Sequence, residues 1–228
     1  MNPNDEEAER PVRKRPAILA WAMGALLILV PVALTFVVVL LAGSDPAPDA
    51  GNLAGDVLLM RHATAPGNGD PEGFDLNDCS TQRSLDEGGV RMAQEAGRKL
   101  AERGMKISPV VYSSQWCRCL DTAREIVQQL NEAKKGNATN HYVVEEWGLN
   151  SFYQTERGGF TRDECVERLN DGILERLRSI PPEQRDGTRM LMVTHQVTVS
   201  AVAGIRTKSG EIVAYDSRTG EARKLDLG

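Results

Sequence analysis

Of the three histidines in the chain, two stand directly behind short apolar runs. His62, preceded by Arg61, follows Asp56–Met60 (DVLLM), and His195 follows Met190–Thr194 (MLMVT). The third, His141, sits in the polar stretch NATNHY and reads as a surface residue. Another apolar run, Pro109–Tyr112, leads into Ser113-Ser114-Gln115-Trp116-Cys117-Arg118. Short apolar runs of this kind fit fully buried strands, and open parallel sheets carry their reactive loops at the strands' carboxyl ends. Two imidazoles and two guanidinium groups then converge on one crevice. Guanidinium forks match phosphate oxygens, and a neutral imidazole can attack phosphorus. In a chain of net charge −5, that concentration of cations calls for a dianion. Position alone leaves an ordinary alternative open for Arg61 and Arg118, namely surface residues in simple ion pairs.

The elements that must position these groups can be read from periodicity. Ser84-Leu85-Asp86-Glu87 has the form of a capping box, with Ser84 as the N-cap. Val90, Ala93, Gly97 and Leu100 then line one helical face, and Gly104 ends it. Leu120, Ala123, Val127 and Leu130 mark a second helix, and Tyr142–Val144 a third strand. Thr161-Arg162-Asp163-Glu164 is another capping box, opening a helix with Val166, Leu169, Ile173 and Leu177 inward until Pro181-Pro182 stops it. A short helix over Val197–Ala203 follows His195. Glu211–Tyr215 and Ala222–Leu227, joined by the turn-prone SRTG, form a terminal hairpin. Strands alternating with amphipathic helices predict an α/β domain with a largely parallel sheet over residues 56–228.

Four motifs in this order carry a resemblance: Leu59-Met60-Arg61-His62, Ser84-Leu85-x-x-Gly88, Tyr112-Ser113-Ser114 with Arg118 and Thr122-Ala123, and Val193-Thr194-His195. The set resembles the histidine phosphatase superfamily, the phosphoglycerate mutase-like group, from about Asp56 to Val213. The resemblance implies a three-layer α/β/α sandwich and a phosphohistidine mechanism that needs no cofactor. Carried over, His62 is the nucleophile, Arg61 and Arg118 clamp the phosphoryl oxygens, and His195 is the second histidine of the phosphate pocket. Asn68, six places after His62, corresponds to a substrate-binding Asn of some members. Ala63 departs from the family's usual Gly. The general acid is a larger departure, because Ser151 stands where many members carry Glu. Glu145, Glu146, Asp70, Glu72, Asp75 and Asp78 remain candidates, and a substrate with a good leaving group needs none. Small bacterial envelope phosphatases, such as those acting on lipopolysaccharide core heptose phosphate, resemble the chain most.

The remaining length reads as an appendage. Ala17–Gly43 carries no charged residue, and about 20 apolar residues suffice to cross a bilayer. Arg10, Arg13, Lys14 and Arg15 precede the run, while Asp45, Asp49 and Asp56 follow it. The positive-inside rule then makes residues 1–16 a cytoplasmic tail, 17–43 a single-pass signal anchor in a bacterial inner membrane, and 44–55 a linker. The domain at 56–228 stands outside the cytoplasm, periplasmic or otherwise extracytoplasmic. An oxidising exterior allows Cys79 to bond with Cys117 or Cys119, while Cys165 reads as a core residue.

Composition excludes other classes. At 41% hydrophobic and 26% charged, the chain is neither disordered nor low in complexity. The acidic balance offers no field for nucleic acid, and the cysteines lack the paired spacing of a zinc site. The sequence therefore predicts a metal-independent, membrane-anchored phosphomonoesterase acting on a phosphorylated small molecule or glycan. A mutase or phosphotransferase, and a phosphate-binding protein without turnover, are the alternatives.

Overall fold

A computed structural model describes residues 56–134, 136, 139–153 and 160–228. The anchor, the cytoplasmic tail and the linker expected from the sequence lie outside the described residues. No helix among the described residues is long and apolar enough to cross a membrane.

Six strands form one mixed sheet in the order β3-β2-β4-β1-β5-β6. These are β1 (Val57–Arg61), β2 (Val110–Ser113), β3 (Tyr142–Glu145), β4 (Met190–Thr194), β5 (Ile212–Tyr215) and β6 (Ala222–Leu225). The first four run parallel, and the expected terminal hairpin adds β5 antiparallel to β1 and β6 antiparallel to β5. The helices are α1 (Glu87–Glu102), α2 (Cys117–Glu132), α3 (Arg162–Leu169), α4 (Glu175–Arg178) and α5 (Gln196–Ala203). A π-helical stretch, Asn170–Leu174, joins α3 to α4.

Alternation along β1 divides the core into the two faces of a three-layer arrangement. Leu58 and Met60 pack with Ala93 and Leu100 of α1 and Ala123 and Ile126 of α2. Val57 and Leu59 pack with Leu169 of α3, Ile173, Leu174 and Val199 of α5. Both faces being covered, β1 is apolar from Val57 to Met60, which is why it reads as an unbroken run. The chain moves outward from β1 to β2 to β3 with its helices on one face, then returns to β4 with α3 on the other. Crossovers of one hand require that exchange of faces when the direction reverses.

Two local features differ from the sequence expectation. The N-cap of α1 is Asp86, whose carboxylate accepts from the Gly89 amide at 2.6 Å, and Ser84 plays no capping part. The loop after His62 decides this, because Thr64 O accepts from the Asp86 amide at 3.3 Å and holds the helix start two residues later. His141 is half-buried, its ring meeting Asn131 Oδ1 and Ile107 O at 3.3 Å each. The Thr161 capping box forms as expected, with both reciprocal bonds present.

Gly97 sets the spacing between α1 and α2. A Cβ there would stand 2.8 Å from Gln129 Cβ and 2.9 Å from Ile126 O. Gly97→Ala should therefore destabilise by about 1–3 kcal/mol, despite alanine's better helix propensity. Gly172→Ala meets nothing within 4 Å and should be neutral or stabilising by about 0.5–1 kcal/mol. Urea midpoints of the two variants check the pair, and equal midpoints would contradict the close packing.

Candidate active site

The sheet ladder itself brings the reactive residues together. Beyond the paired residues of β1 and β4, the His62 amide donates to Thr194 O at 2.8 Å. On the other side of β4, the Ser114 amide donates to Val193 O at 2.9 Å. Residues that follow three neighbouring strands are thus locked side by side. The rings of His62 and His195 meet edge to face at 5.3 Å, and Trp116 meets His195 in the same way at 5.2 Å. Arg61, His62, Asn68, Arg118 and His195 all line one cavity of about 300 Å³. Asn68 is exposed at its edge, whereas the two histidines and Arg118 are buried.

Hydrogen bonds define the state of His62. Its Nδ1 lies 2.8 Å from Ala63 O, a pure acceptor, so Nδ1 carries the proton. Arg118 Nε–H donates toward Nε2 at 3.3 Å, which requires a lone pair there. The ring is therefore a neutral imidazole with its nucleophilic nitrogen against a guanidinium. Burial first, and then the charge of Arg118, push its pKa down to about 3.

His195 is fixed by a relay. The Gln115 amide donates to Asn150 Oδ1 at 2.9 Å, which fixes that atom as oxygen. Ser114 Oγ–H then donates to the same oxygen at 3.0 Å, and Ser114 Oγ accepts from His195 Nε2–H, also at 3.0 Å. In the neutral ring, Nδ1 is left as the unprotonated nitrogen. Burial and the charge of Arg118 hold the His195 pKa well below its usual value. His195 also caps α5, with Gln196 and Val197 of the first turn lining the cavity and no side chain capping it. An uncapped helix start presents amide dipoles that favour an anion.

The sequence did not single out Arg83, and it did not pair Asp70 with Arg118. Arg118 Nη1 and Asp70 Oδ1 form an ion pair at 2.8 Å, with side chains only 4% and 5% exposed. Trp116 Nε1 donates to the other oxygen at 3.1 Å, and the Arg83 amide to Oδ1 at 3.3 Å. Arg83 also lines the cavity, its Nη1 donating to Ala65 O at 2.9 Å and Gly67 O at 2.7 Å. Arg61 Nη1 donates to Thr207 O at 2.9 Å, while the buried Nε atoms of both Arg61 and Arg83 have no partner. Burial and the nearby Arg118 charge lower the pKa of both guanidinium groups. Crowded, incompletely satisfied cations are what a phosphate would relieve.

The other acids are accounted for. Glu146 is buried against Arg168 at 2.9 Å, Asp78 caps a short 3-10 helix (Cys79–Thr81), and Asp75 accepts from the Asn77 amide. Glu72 and Glu145 are exposed, and neither lines the cavity. Asp70 is the one carboxylate lining it among the described residues, and Ser151 lines it where Glu was expected. Among those residues, no three His, Cys, Asp or Glu side chains are grouped to hold a metal ion.

A disulfide anchors the loop that carries Asp70. Cys79 bonds to Cys117 with a Cα separation of 5.7 Å, while Cys119 and Cys165 are free and buried. Gln82 reinforces the tie by accepting from the Cys117 amide at 3.0 Å. Cys119 cannot take that role, because it faces inward, with Sγ 3.4 Å from His195 Nε2.

Because the folded pKa of His62 lies near 3 and the unfolded value near 6.5, the sign of the pH effect is fixed. Above pH 6.5 neither state is protonated. Below it the unfolded chain binds a proton that the folded chain refuses, so stability falls from pH 6.5 toward about 3. Nitrogen NMR should find the His62 ring neutral through that window. A midpoint near 6.5 would contradict the buried neutral tautomer, and His62→Gln should lessen the acid-side slope of the stability curve, leaving the share that His195 contributes.

Similarity to known proteins bears on the fold and the family. No curated protein matches the chain detectably. Among solved structures, the ecdysone phosphate phosphatase from Bombix mori, in complex with tungstate, is 16% identical at TM-score 0.50, over 75% of this chain and 91% of that one. A protein described as mycobacterial hydrolase 1 is 14% identical at TM-score 0.50, over 76% and 98%. The protein histidine phosphatase SixA, complexed with tungstate, is 16% identical at TM-score 0.48, over 74% and 93%. The model of the histidine phosphatase superfamily (branch 1) matches residues 57–208, from the first residue of β1 to just past the segment that holds Arg61, and the chain belongs to that superfamily.

Proposed function

We propose that the chain is a membrane-anchored phosphomonoesterase whose domain acts outside the cytoplasm, through a phosphohistidine on His62. The observation that carries the reading is the neutral His62 ring, with Nδ1–H spent on Ala63 O and Nε2 turned to Arg118. The Nε2 lone pair attacks phosphorus, the bond to the leaving oxygen breaks, and a P–N bond forms. Water then attacks phosphorus, the P–N bond breaks, and inorganic phosphate leaves with His62 neutral again. Arg61 and Arg118 take the non-bridging oxygens, and positioning of this kind is most of what phosphoryl transfer asks of a protein. His195, once a dianion offsets its surroundings, accepts a proton at Nδ1 and donates it as a hydrogen bond to the phosphoryl group.

Both oxygens of Asp70 already accept hydrogen bonds from Arg118, Trp116 and Arg83. That engagement favours substrates whose leaving group departs without a carboxylic acid to protonate it, such as aryl, acyl or anhydride phosphates. An aryl phosphate should be hydrolysed far faster than an alkyl phosphate, and equal rates would require another proton donor. Quenching during turnover should trap acid-labile, base-stable phosphate on His62. His62→Ala should abolish both label and turnover, whereas His195→Ala should slow the reaction by roughly 10²–10³-fold while retaining label. Full turnover by His62→Ala would end this reading.

The uncharged run Ala17–Gly43 with its flanking charges supports the anchor and its orientation. The Cys79–Cys117 disulfide supports an oxidising compartment. The unreduced chain, denatured, should titrate as two thiols, Cys119 and Cys165. A cytoplasm-only reporter fused at Gly228 should stay silent. Four thiols, or a strong signal, would move the domain to the cytoplasm.

A further inference from the structure

The charge around the cavity exceeds what a phosphate needs. Its charged lining residues, among those described, are Arg61, Arg83, Arg118, Arg206 and Asp70. Asp70 offsets Arg118, and a bound phosphate dianion offsets two more guanidinium groups. Among the described residues, one positive charge is left.

Structure identifies which. Arg118 is buried against His62 and Asp70, Arg61 is tied to Thr207 O, and Arg83 is tied to the carbonyls of the loop after His62. Arg206, on the segment between α5 and β5, is exposed at the rim and has no hydrogen bond or ion pair with another described residue. The acid nearest to it in its own segment, Glu211, is already held by Lys224 and by the Lys208 amide. The position of Arg206 is itself anchored. Its neighbour Thr207 supplies the carbonyl that holds Arg61, and the Gly210 amide donates to Arg61 O at 3.1 Å. A rim guanidinium is thus mounted on the backbone that positions a phosphate clamp.

We infer that the substrate carries a second anionic group beyond its phosphate, a carboxylate or another phosphate, and that Arg206 receives it. Arg206 is therefore a specificity-determining residue, and the substrate class is a phosphomonoester with a further acidic substituent. This inference rests on the phosphatase reading proposed above. A rim charge that becomes covered by substrate forms a charge-assisted hydrogen bond, and a neutral substituent leaves it facing water at no gain.

The test compares two aryl phosphates of matching shape, 4-carboxyphenyl phosphate and 4-carbamoylphenyl phosphate, on the full-length chain in detergent. The wild-type chain should prefer the carboxylate ester by about tenfold in kcat/KM, with the difference in KM. Arg206→Gln should abolish the preference, and Arg206→Lys should restore part of it. No preference in the wild-type chain overturns the inference, as does a preference that survives Arg206→Gln. Turnover of neither ester would instead overturn the phosphatase reading, and the inference with it, a result distinct from turnover of both at equal efficiency.

Discussion

Like charges held close together in a half-dry cavity repel, and the rest of this structure is organised around containing that repulsion. Arg61, Arg83 and Arg118 surround two buried imidazoles. Removing a guanidinium from water costs several kcal/mol, so Arg118, at 3% exposure, needs a partner of opposite charge and good geometry. Asp70 supplies both. Its placement in turn depends on the loop from Ala63 to Gln82, which has little regular structure of its own. The Cys79–Cys117 bond, the Gln82 contact with the start of α2 and the Trp116 indole all hold that loop against α2. The loop is the device by which one carboxylate reaches one arginine.

The strands solve the complementary problem of precision. A parallel ladder offers little choice of register once both faces of the sheet are buried, since a one-residue slip would send Leu58 and Met60 to the wrong core. His62 and His195 inherit that precision because each follows its strand without an intervening residue. Arg118 does not follow directly, and instead takes its position from the first turn of α2, whose Thr122 hydroxyl donates to Arg118 O and accepts from the Ala63 amide. One threonine thereby ties the residue after the histidine to the arginine that faces it. Gly89 serves the same loop from α1: a Cβ there would stand 2.1 Å from Thr64 O, so a side chain is excluded.

What could be read from the sequence follows from this division. Residues attached to the ladder were legible, because an apolar run fixes a strand and the strand fixes its end. The fold and the meeting of His62 with His195 followed from this, while Arg61 and Arg118 needed the ordered motifs of the family resemblance as well. Residues delivered by loops were not. Arg83 lies twenty-one places after His62 and returns to it only because Arg83 Nη1 binds the carbonyls of Ala65 and Gly67. Nothing periodic announces that. Asp70 was one acid among six, and only its burial against Arg118 separates it from Asp75 and Asp78, which hold turns. The false N-cap at Ser84 has the same origin. The local pattern was sound, but the backbone of Thr64 claimed the Asp86 amide and shifted the helix start. Cys117 rather than Cys119 joins Cys79 because the first turn of α2 points them in different directions, toward the loop and toward His195.

The cations and the neutral histidines are two consequences of one field. A histidine nucleophile must be unprotonated, and at an ordinary pKa near 6.5 it would be partly charged in mildly acidic surroundings. Here burial and the guanidinium groups suppress the proton on His62 and His195 together, without any dedicated base. In the proposed mechanism the same positive field draws in the dianionic phosphate that His62 attacks. On that proposal the seated dianion reverses the local balance and favours protonation of His195, at the moment when a donor to the phosphoryl oxygens is useful. His62 would be spared this reversal, because its Nδ1–H is committed to Ala63 O and the proposed bond to phosphorus would use its Nε2. Two rings 5.3 Å apart in one field are thus oriented by different hydrogen-bond partners, a backbone carbonyl for one and the Ser114–Asn150 relay for the other.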